Sequence, residues 1–206
     1  MKQYIYIFYL ALALLTFISC SKKNRLKNTS FSSSQMQLIL AADTSEVMPL
    51  FLINNASDSL LLRKKSLDVN SNPKDKTLQH FTKRLLLTMT KAEGVGIAAP
   101  QVGILKNIIW VQRFDKTDFP FEVFLNPKIL AYSEEKQPCA EGCLSIPDQK
   151  GTTQNRAASI KIEYDKMDGT HHQETVEGFT AVIFQHEIDH LNGILFIDHL
   201  EKEYKK

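Results

Sequence analysis

The sequence has few cysteines, almost no net charge and no apolar run of the length typical of a membrane span. Its three cysteines, Cys20, Cys139 and Cys143, are too few for a small fold held together by disulfides. A formal net charge of +2 gives no electrostatic footprint for nucleic acid, so we expect no nucleic-acid partner. The uncharged apolar run at residues 4–18 is shorter than the roughly 20 residues that a spanning helix needs, which makes an ordinary membrane anchor the weaker interpretation.

That apolar run has the pattern of a signal peptide. Lys2 precedes it, and Ser19 and Cys20 follow it. Residues 17–20, Phe-Ile-Ser-Cys, resemble a bacterial lipobox, in which the cysteine is acylated, although Phe17 stands where Leu is commoner. The alternative is an uncleaved or differently cleaved signal with an incidental cysteine. We predict a signal peptide at residues 1–20 and lipidation of Cys20, because two or three acyl chains hold a protein stably on a membrane.

The rest of the chain divides into a tether and one domain. Residues 21–45 are polar and rich in serine and lysine, so we interpret them as a flexible tether with little structure. Residues 46–206 have the size of a single domain that can bury a core. No internal repeats are evident.

Apolar periodicity predicts an α+β fold. Spacing near 3.6 residues predicts a helix at residues 78–91, and a second helix should run over residues 179–191 and end at Asn192 and Gly193. Short apolar or alternating segments at residues 108–111, 123–125 and 160–164 predict strands, and Asp168 and Gly169 predict a hairpin turn. We expect short mixed or antiparallel sheets packed around the second helix.

The second helix carries the sequence Gln-His-Glu-Ile-Asp-His at residues 185–190. His186 and His190, four residues apart on a helix, project from one face and can bind one metal ion. Glu187 then suits a proton acceptor beside the metal rather than a ligand. Cys143 offers a thiolate as third ligand, which suits Zn or Fe(II). A histidine pair of this spacing also arises by chance in solvated helices.

Three blocks together resemble the signature motifs of the peptide deformylase family. They are Gly-Val-Gly-Ile-Ala-Ala-Pro-Gln at residues 94–101, Glu-Gly-Cys-Leu-Ser at 141–145 and the histidine block at 185–190. The resemblance extends from about residue 60 to residue 200. It implies a deformylase-like fold around the histidine helix and a hydrolase that removes the formyl group from N-terminal formyl-methionine, giving formate and a free amino terminus. It also implies one Fe2+ per chain, with Zn2+ or Ni2+ as substitutes, and N-formyl-Met peptides as substrates. We further expect a monomer.

The resemblance also assigns roles to individual residues. The side-chain amide of Gln101 and the backbone N–H of Leu144 would stabilise the oxyanion. Separately, the place of Asp189 between the two histidines predicts that it points away from the metal and supports the site without binding the ion. The substrate would be bound by Gly94, Val95, Gly96, Phe179, Val182 and Ile183. For any one of the apolar residues in this set, a place in the ordinary core is an equally good interpretation, and the glycines could form an ordinary turn.

The family resemblance and the predicted signal peptide indicate different locations for the protein. Two functions other than deformylation also remain open. Deformylases are expected in the cytosol, yet the signal indicates a lipoprotein facing the periplasm or the outside, with a cytoplasmic enzyme as the alternative. A metal-binding or peptide-binding protein that kept the fold, and a zinc endopeptidase that shares the histidine motif, are the competing functions. Cys139 and Cys143 could also form a disulfide in an oxidising compartment.

Overall fold

The computed structural model describes residues 29–204. The predicted signal peptide, Cys20 and the first part of the predicted tether lie outside these residues. Within the described part of the chain, no helix combines the length and the apolar character that crossing a membrane would require.

The strands form two antiparallel sheets. The larger sheet has the order β1-β2-β3-β6-β7, and a separate hairpin consists of β4 and β5. Their bounds are β1 Gly96–Ala98, β2 Ile108–Gln112, β3 Phe121–Tyr132, β4 Lys136–Cys143, β5 Ile146–Ala157, β6 Ser159–Asp165 and β7 His171–Glu177. The predicted α+β class and the three predicted strands are therefore confirmed, and these named strands pair antiparallel rather than in a mixed sheet.

The helices are α1 Ser33–Ile39, α2 Ala56–Leu62, α3 Lys76–Lys91, α4 Gly178–Leu191 and α5 Phe196–Tyr204. Helix α3 begins where the Asp75 carboxylate accepts the backbone N–H of Leu78, an N-cap. Helix α4 is capped at its C-terminal end by Asn192, and Gly193 follows in the left-handed region with φ 74°. Both predicted helices and the predicted turn, where Gly169 has φ 88°, are confirmed.

Helix α4 is the central element of the domain. Most of its residues are buried, as expected for a helix covered on several sides, and it contacts β1, β2 and β5. The Gln185 side chain pairs with the backbone of Ala157 in β5, accepting its N–H at 2.9 Å and donating to its carbonyl at 3.0 Å. On the other side, the ring of Phe184 meets Phe124 of β3 edge-on, with centroids 4.7 Å apart. The helix is thereby fixed between the hairpin and the larger sheet.

The predicted tether contains ordered structure. Helix α1 begins with a capping box at Ser32 and Gln35, and Phe31 and Ile39 are buried in the core beside α3. The rings of Phe31 and Phe81 lie 5.9 Å apart. The prediction of little structure is therefore wrong for residues 33–39, and the folded body begins before residue 46. A helix of seven residues is too short for apolar periodicity to identify it in a polar segment.

Candidate active site

The three predicted metal ligands lie together at one end of the hairpin. His186 and His190 are one turn apart on α4, with ring centroids 5.0 Å apart. Cys143, the last residue of β4, places its Sγ 3.2 Å from His190 Nε2. One donor atom from each of the three side chains lies within 4.8 Å of the others. Both Cys139 and Cys143 are free thiols, so the disulfide between them is not formed.

The donor set fits a divalent transition metal. A thiolate with two imidazoles is a combination that Zn and Fe(II) accept. His186 donates its Nδ1–H to Glu141 Oε2 at 2.7 Å, which leaves Nε2 as the nitrogen for a metal. A carboxylate behind a histidine is the usual support of a metal-binding imidazole, because it fixes the tautomer and the ring orientation. The residues present therefore suit the predicted ion.

Behind the ligands lies a buried network of charges. Arg156 of β5 binds both carboxylate oxygens of Glu141, at 2.8 and 2.9 Å, and reaches Asp189 at 2.6 Å. Asp189 also accepts from His199 at 2.9 Å, so it faces away from the metal ligands, as predicted. Burial by itself would raise the pKa of Glu141, but hydrogen bonds from His186 and Arg156 outweigh it and lower that pKa. The Glu141 carboxylate is therefore held in its charged form.

Sequence reasoning assigned no role to Glu141 and missed its pairing with Arg156. The two residues lie on neighbouring strands of the hairpin, and neither strand was predicted. The signal that was available is the position of Glu141 two residues before Cys143, on the same strand and inside the second motif.

Glu187 lies in the cleft beside His186. Its side chain is 4% exposed, and its Oε2 has no hydrogen-bond partner among the described residues. Burial raises the pKa of this carboxyl to about 7. A carboxyl group with a pKa near neutrality can both accept and return a proton, which is the property required of a general base and acid.

The two predicted oxyanion donors adjoin Cys143. Gln101 is in the short 3-10 helix Ala99–Val102, and its Oε1 accepts the backbone N–H of Ala98 at 2.8 Å. That bond fixes the amide orientation, so Nε2 lies 3.6 Å from Cys143 Sγ and 3.4 Å from Ser145 Oγ. Leu144 occupies the turn between β4 and β5 and lines the same cleft.

The cleft has a volume of about 560 Å³. All the residues predicted to bind substrate line it, namely Gly94, Val95, Gly96, Phe179, Val182 and Ile183. Leu50, which sequence reasoning did not consider, also contributes to its wall. Phe179 is exposed at 46%, whereas Val182 and Ile183 are buried within the cleft wall.

The structure gives its own reason for the two glycines of the first motif. A Cβ on Gly96 would meet the carboxylate of Glu187 and would lie 2.8 Å from Cγ2 of Ile183. A Cβ on Gly94 would lie 3.0 Å from Cδ1 of Leu144. The role expected for these glycines was substrate binding, with an ordinary turn as the alternative. In the structure, their missing side chains leave room for residues of the site itself.

Comparison with known proteins agrees with this geometry. The model of the polypeptide deformylase family matches residues 51–206. The chain is 42% identical over 130 residues to a peptide deformylase of Mesorhizobium japonicum, covering 62% of this chain and 73% of the relative. A peptide deformylase of Zymomonas mobilis is 40% identical over 133 residues, covering 62% and 75%.

A solved structure shares the fold as well. The Met-Ala-Ser-bound class I type b peptide deformylase of Acinetobacter baumannii superposes with a TM-score of 0.65 at 36% identity. The match covers 75% of this chain and 99% of the solved one. The family match spans most of the chain and contains all three proposed ligands, Glu187 and Gln101. The chain therefore belongs to the polypeptide deformylase family.

Proposed function

We propose that this enzyme hydrolyses the formyl amide of N-terminal formyl-methionine in peptides, using the centre formed by Cys143, His186 and His190. The observation that carries the proposal is the meeting of these three ligands with Glu187 in one cleft. A site that had lost its activity would lack one of the ligands or the base, and this chain has all three ligands and the base. The products are formate and a peptide with a free amino terminus.

Each step of the hydrolysis has a residue suited to it. A divalent ion held at the centre would supply Lewis acidity and make a water molecule more acidic. Glu187 accepts the proton of the attacking water and later transfers it to the leaving amine, as its pKa of about 7 permits. The Gln101 amide and the Leu144 backbone N–H stabilise the oxyanion of the tetrahedral intermediate. Glu141 keeps His186 in the tautomer and orientation that a ligand needs.

The apolar side of the cleft suits the methionine side chain. Val95, Phe179, Val182 and Ile183 present hydrocarbon and aromatic surface there. The related enzyme of Acinetobacter baumannii was solved with Met-Ala-Ser, a peptide that begins with methionine, which supports the same assignment for this chain.

Fe(II) is the proposed native ion, at one per chain, with Zn or Ni able to replace it. The thiolate ligand and the family favour Fe(II). Metal analysis of the full chain purified without oxygen should find one divalent ion, lost on Cys143→Ala. No stoichiometric ion in the wild type, or full occupancy after Cys143→Ala, would contradict the site. All the proposed ligands come from one chain, so the centre needs no second copy, and we also propose a monomer, which light scattering can test against the mass of a single chain.

Three substrates separate the candidate functions. We expect the full chain in detergent to release formate from formyl-Met peptides and to leave acetyl-Met peptides and a long unformylated protein intact. Cleavage of the long protein would instead favour an endopeptidase. Peptide binding without turnover of any substrate would favour a binding protein that has kept the fold.

For location, we propose that residues 1–20 are a signal peptide and that Cys20 is acylated, which places the enzyme on the periplasmic or outer face of a bacterial membrane. The support is the apolar run at residues 4–18 and the lipobox-like residues that follow. Its substrates there would be formylated peptides that escaped deformylation in the cytosol. Cells labelled with a radioactive fatty acid should yield labelled protein in the membrane fraction, and Cys20→Ala should release it. Unlabelled full-length protein in the cytosol would reject both lipidation and export.

A further inference from the structure

Residues 29–53 form a segment that we call the N-terminal arm. It precedes the family match and overlaps only the first residues of that match. Its apolar residues Phe31, Ile39 and Met48 are buried in one core cluster with the buried face of α3. The family match begins only at residue 51, so most of the arm precedes it. At its far end the arm reaches the cleft, where Leu50 forms part of the wall.

A single arginine of α3 binds the arm at two places. Arg84 is 3% exposed, and its guanidinium donates to four backbone carbonyls. Nη1 reaches the carbonyls of Leu38 and Ile39 at 3.1 and 2.9 Å, in the last turn of α1. Nε and Nη2 reach the carbonyls of Glu46 and Val47, each at 3.0 Å. The planar fork of arginine suits this arrangement, because its donors point in fixed directions.

A threonine one turn further along α3 extends this attachment toward the cleft. Thr88 Oγ1 accepts the backbone N–H of Met48 at 2.8 Å and donates to the carbonyl of Arg84 at 2.8 Å. Arg84 and Thr88 together therefore fix three consecutive residues of the arm, Glu46, Val47 and Met48.

The next residues of the arm are bonded to both segments that carry the oxyanion donors. The Phe51 N–H donates to the backbone carbonyl of Gln101 at 2.8 Å, and the Ile53 N–H donates to the carbonyl of Ser145 at 3.0 Å. The Phe51 ring also occupies the space beside Gly103, whose φ is 81°. The arm thus links the segment of Gln101 to the turn of Leu144 and Ser145, two parts of the chain that are distant in sequence.

We propose that Arg84 is a positioning residue for catalysis: by anchoring the N-terminal arm it fixes the relative placement of Gln101 and Leu144. This inference rests on the proposed function of those two residues as oxyanion donors. Arg84 itself touches no substrate. Anchoring the arm stabilises the transition state, because oxyanion donors are effective only when they are in position before the reaction.

The test replaces Arg84 in the full chain and separates kcat from KM. We expect Arg84→Met to lower kcat about 10- to 100-fold, with a smaller change in KM, because misplacement of catalytic groups by roughly 1 Å has effects of this size. Arg84→Lys should give an intermediate kcat, since an ammonium cannot reach all four carbonyls. Lys83→Met removes an exposed positive charge from the position directly before Arg84 on the same helix and should leave kcat unchanged.

Hydrogen exchange distinguishes positioning from general loss of stability. In Arg84→Met, peptides covering residues 46–53, 97–103 and 142–147 should lose protection, while the peptide covering α4 keeps it and the metal content stays at the wild-type level. A wild-type kcat in a variant whose arm has lost protection would overturn the proposal. Unchanged protection of the arm would overturn the role of Arg84 as its anchor.

If Arg84→Met does not fold, Thr88→Val decides, because it keeps the shape of the side chain and leaves the Arg84 guanidinium in place. It removes the two hydrogen bonds of the hydroxyl, from the Met48 N–H and to the carbonyl of Arg84 within the helix, and only the first of these reaches the arm. It should lower kcat in the same direction, by about 3- to 10-fold, with less effect on KM. A wild-type kcat in that variant would reject the proposal. A wild type that binds metal but releases no formate would instead reject the proposed function, while the exchange data would still show whether Arg84 anchors the arm and orders residues 97–103.

Discussion

Replacement of Gly96 by alanine should displace Glu187, the proposed general base, and leave the three proposed metal ligands in place. A Cβ at this position would lie 2.8 Å from Ile183 Cγ2 and 3.0 Å from Glu187 Cδ, and closer still to Oε1 of that carboxylate. Ordinary contacts between such atoms are at 3.4 to 4 Å, so the carboxyl group must move by roughly 1 Å or the strand must yield. A displacement of that size typically costs about 100-fold in rate, and we expect kcat to fall by about this factor.

Formate release from a formyl-Met peptide measures the effect, with metal content determined on the same samples. Gly142→Ala is the matched control, because Gly142 precedes Cys143 and an added Cβ would meet the Lys150 side chain at ordinary distances, 3.5 Å from Cγ and 3.8 Å from Cε. The control should keep the wild-type kcat. A wild-type kcat in Gly96→Ala, or an equal loss of kcat in Gly142→Ala, would show that the added Cβ does not act by displacing Glu187.

Three further changes test other parts of the structure. Gly193→Ala should lower the free energy of unfolding by about 2 kcal/mol or more, because φ is 74° and the added Cβ would run into the backbone of Arg63; unchanged denaturant unfolding would contradict it. Glu141→Gln keeps the shape of the side chain but removes the charge facing His186, so metal affinity should fall about 10- to 100-fold in a competition titration. A wild-type affinity would exclude a role of Glu141 in supporting His186. Gln101→Ala should lower kcat by roughly 100-fold, whereas a change in KM alone would assign Gln101 to ground-state binding.

The parts of the fold that sequence predicted are those with a regular apolar pattern. Helix α3 has a single buried face, so its period is visible in the sequence, and β2 and β6 carry apolar or alternating runs. The hairpin of β4 and β5 was not predicted, because β5 is mainly polar and neither strand carries a regular run of apolar residues. They are strands because they pair with each other and pack on α4 and α5, which no local pattern reveals.

The site divides in the same way. His186 and His190 share a face of one helix, so their spacing alone brings them together. Cys143 was proposed as the third ligand because a thiolate suits the metal, and no sequence spacing brings it beside the helix. Glu141 and Arg156 meet across the hairpin, and that pairing depends on a register that sequence spacing does not specify. The arm lay outside the resemblance, which began near residue 60, and its anchor Arg84 lies in none of the three motif blocks.

The most direct test of the proposed hydrolysis is Glu187→Ala in the full chain, with metal content and formate release measured on one preparation. We expect a wild-type content of about one ion per chain and a rate lowered by about 100- to 10,000-fold, because the carboxylate transfers protons and does not bind the metal. Loss of the ion together with activity would make Glu187 a ligand or a structural support, and retention of more than a few per cent of the wild-type rate would mean that it is not the general base.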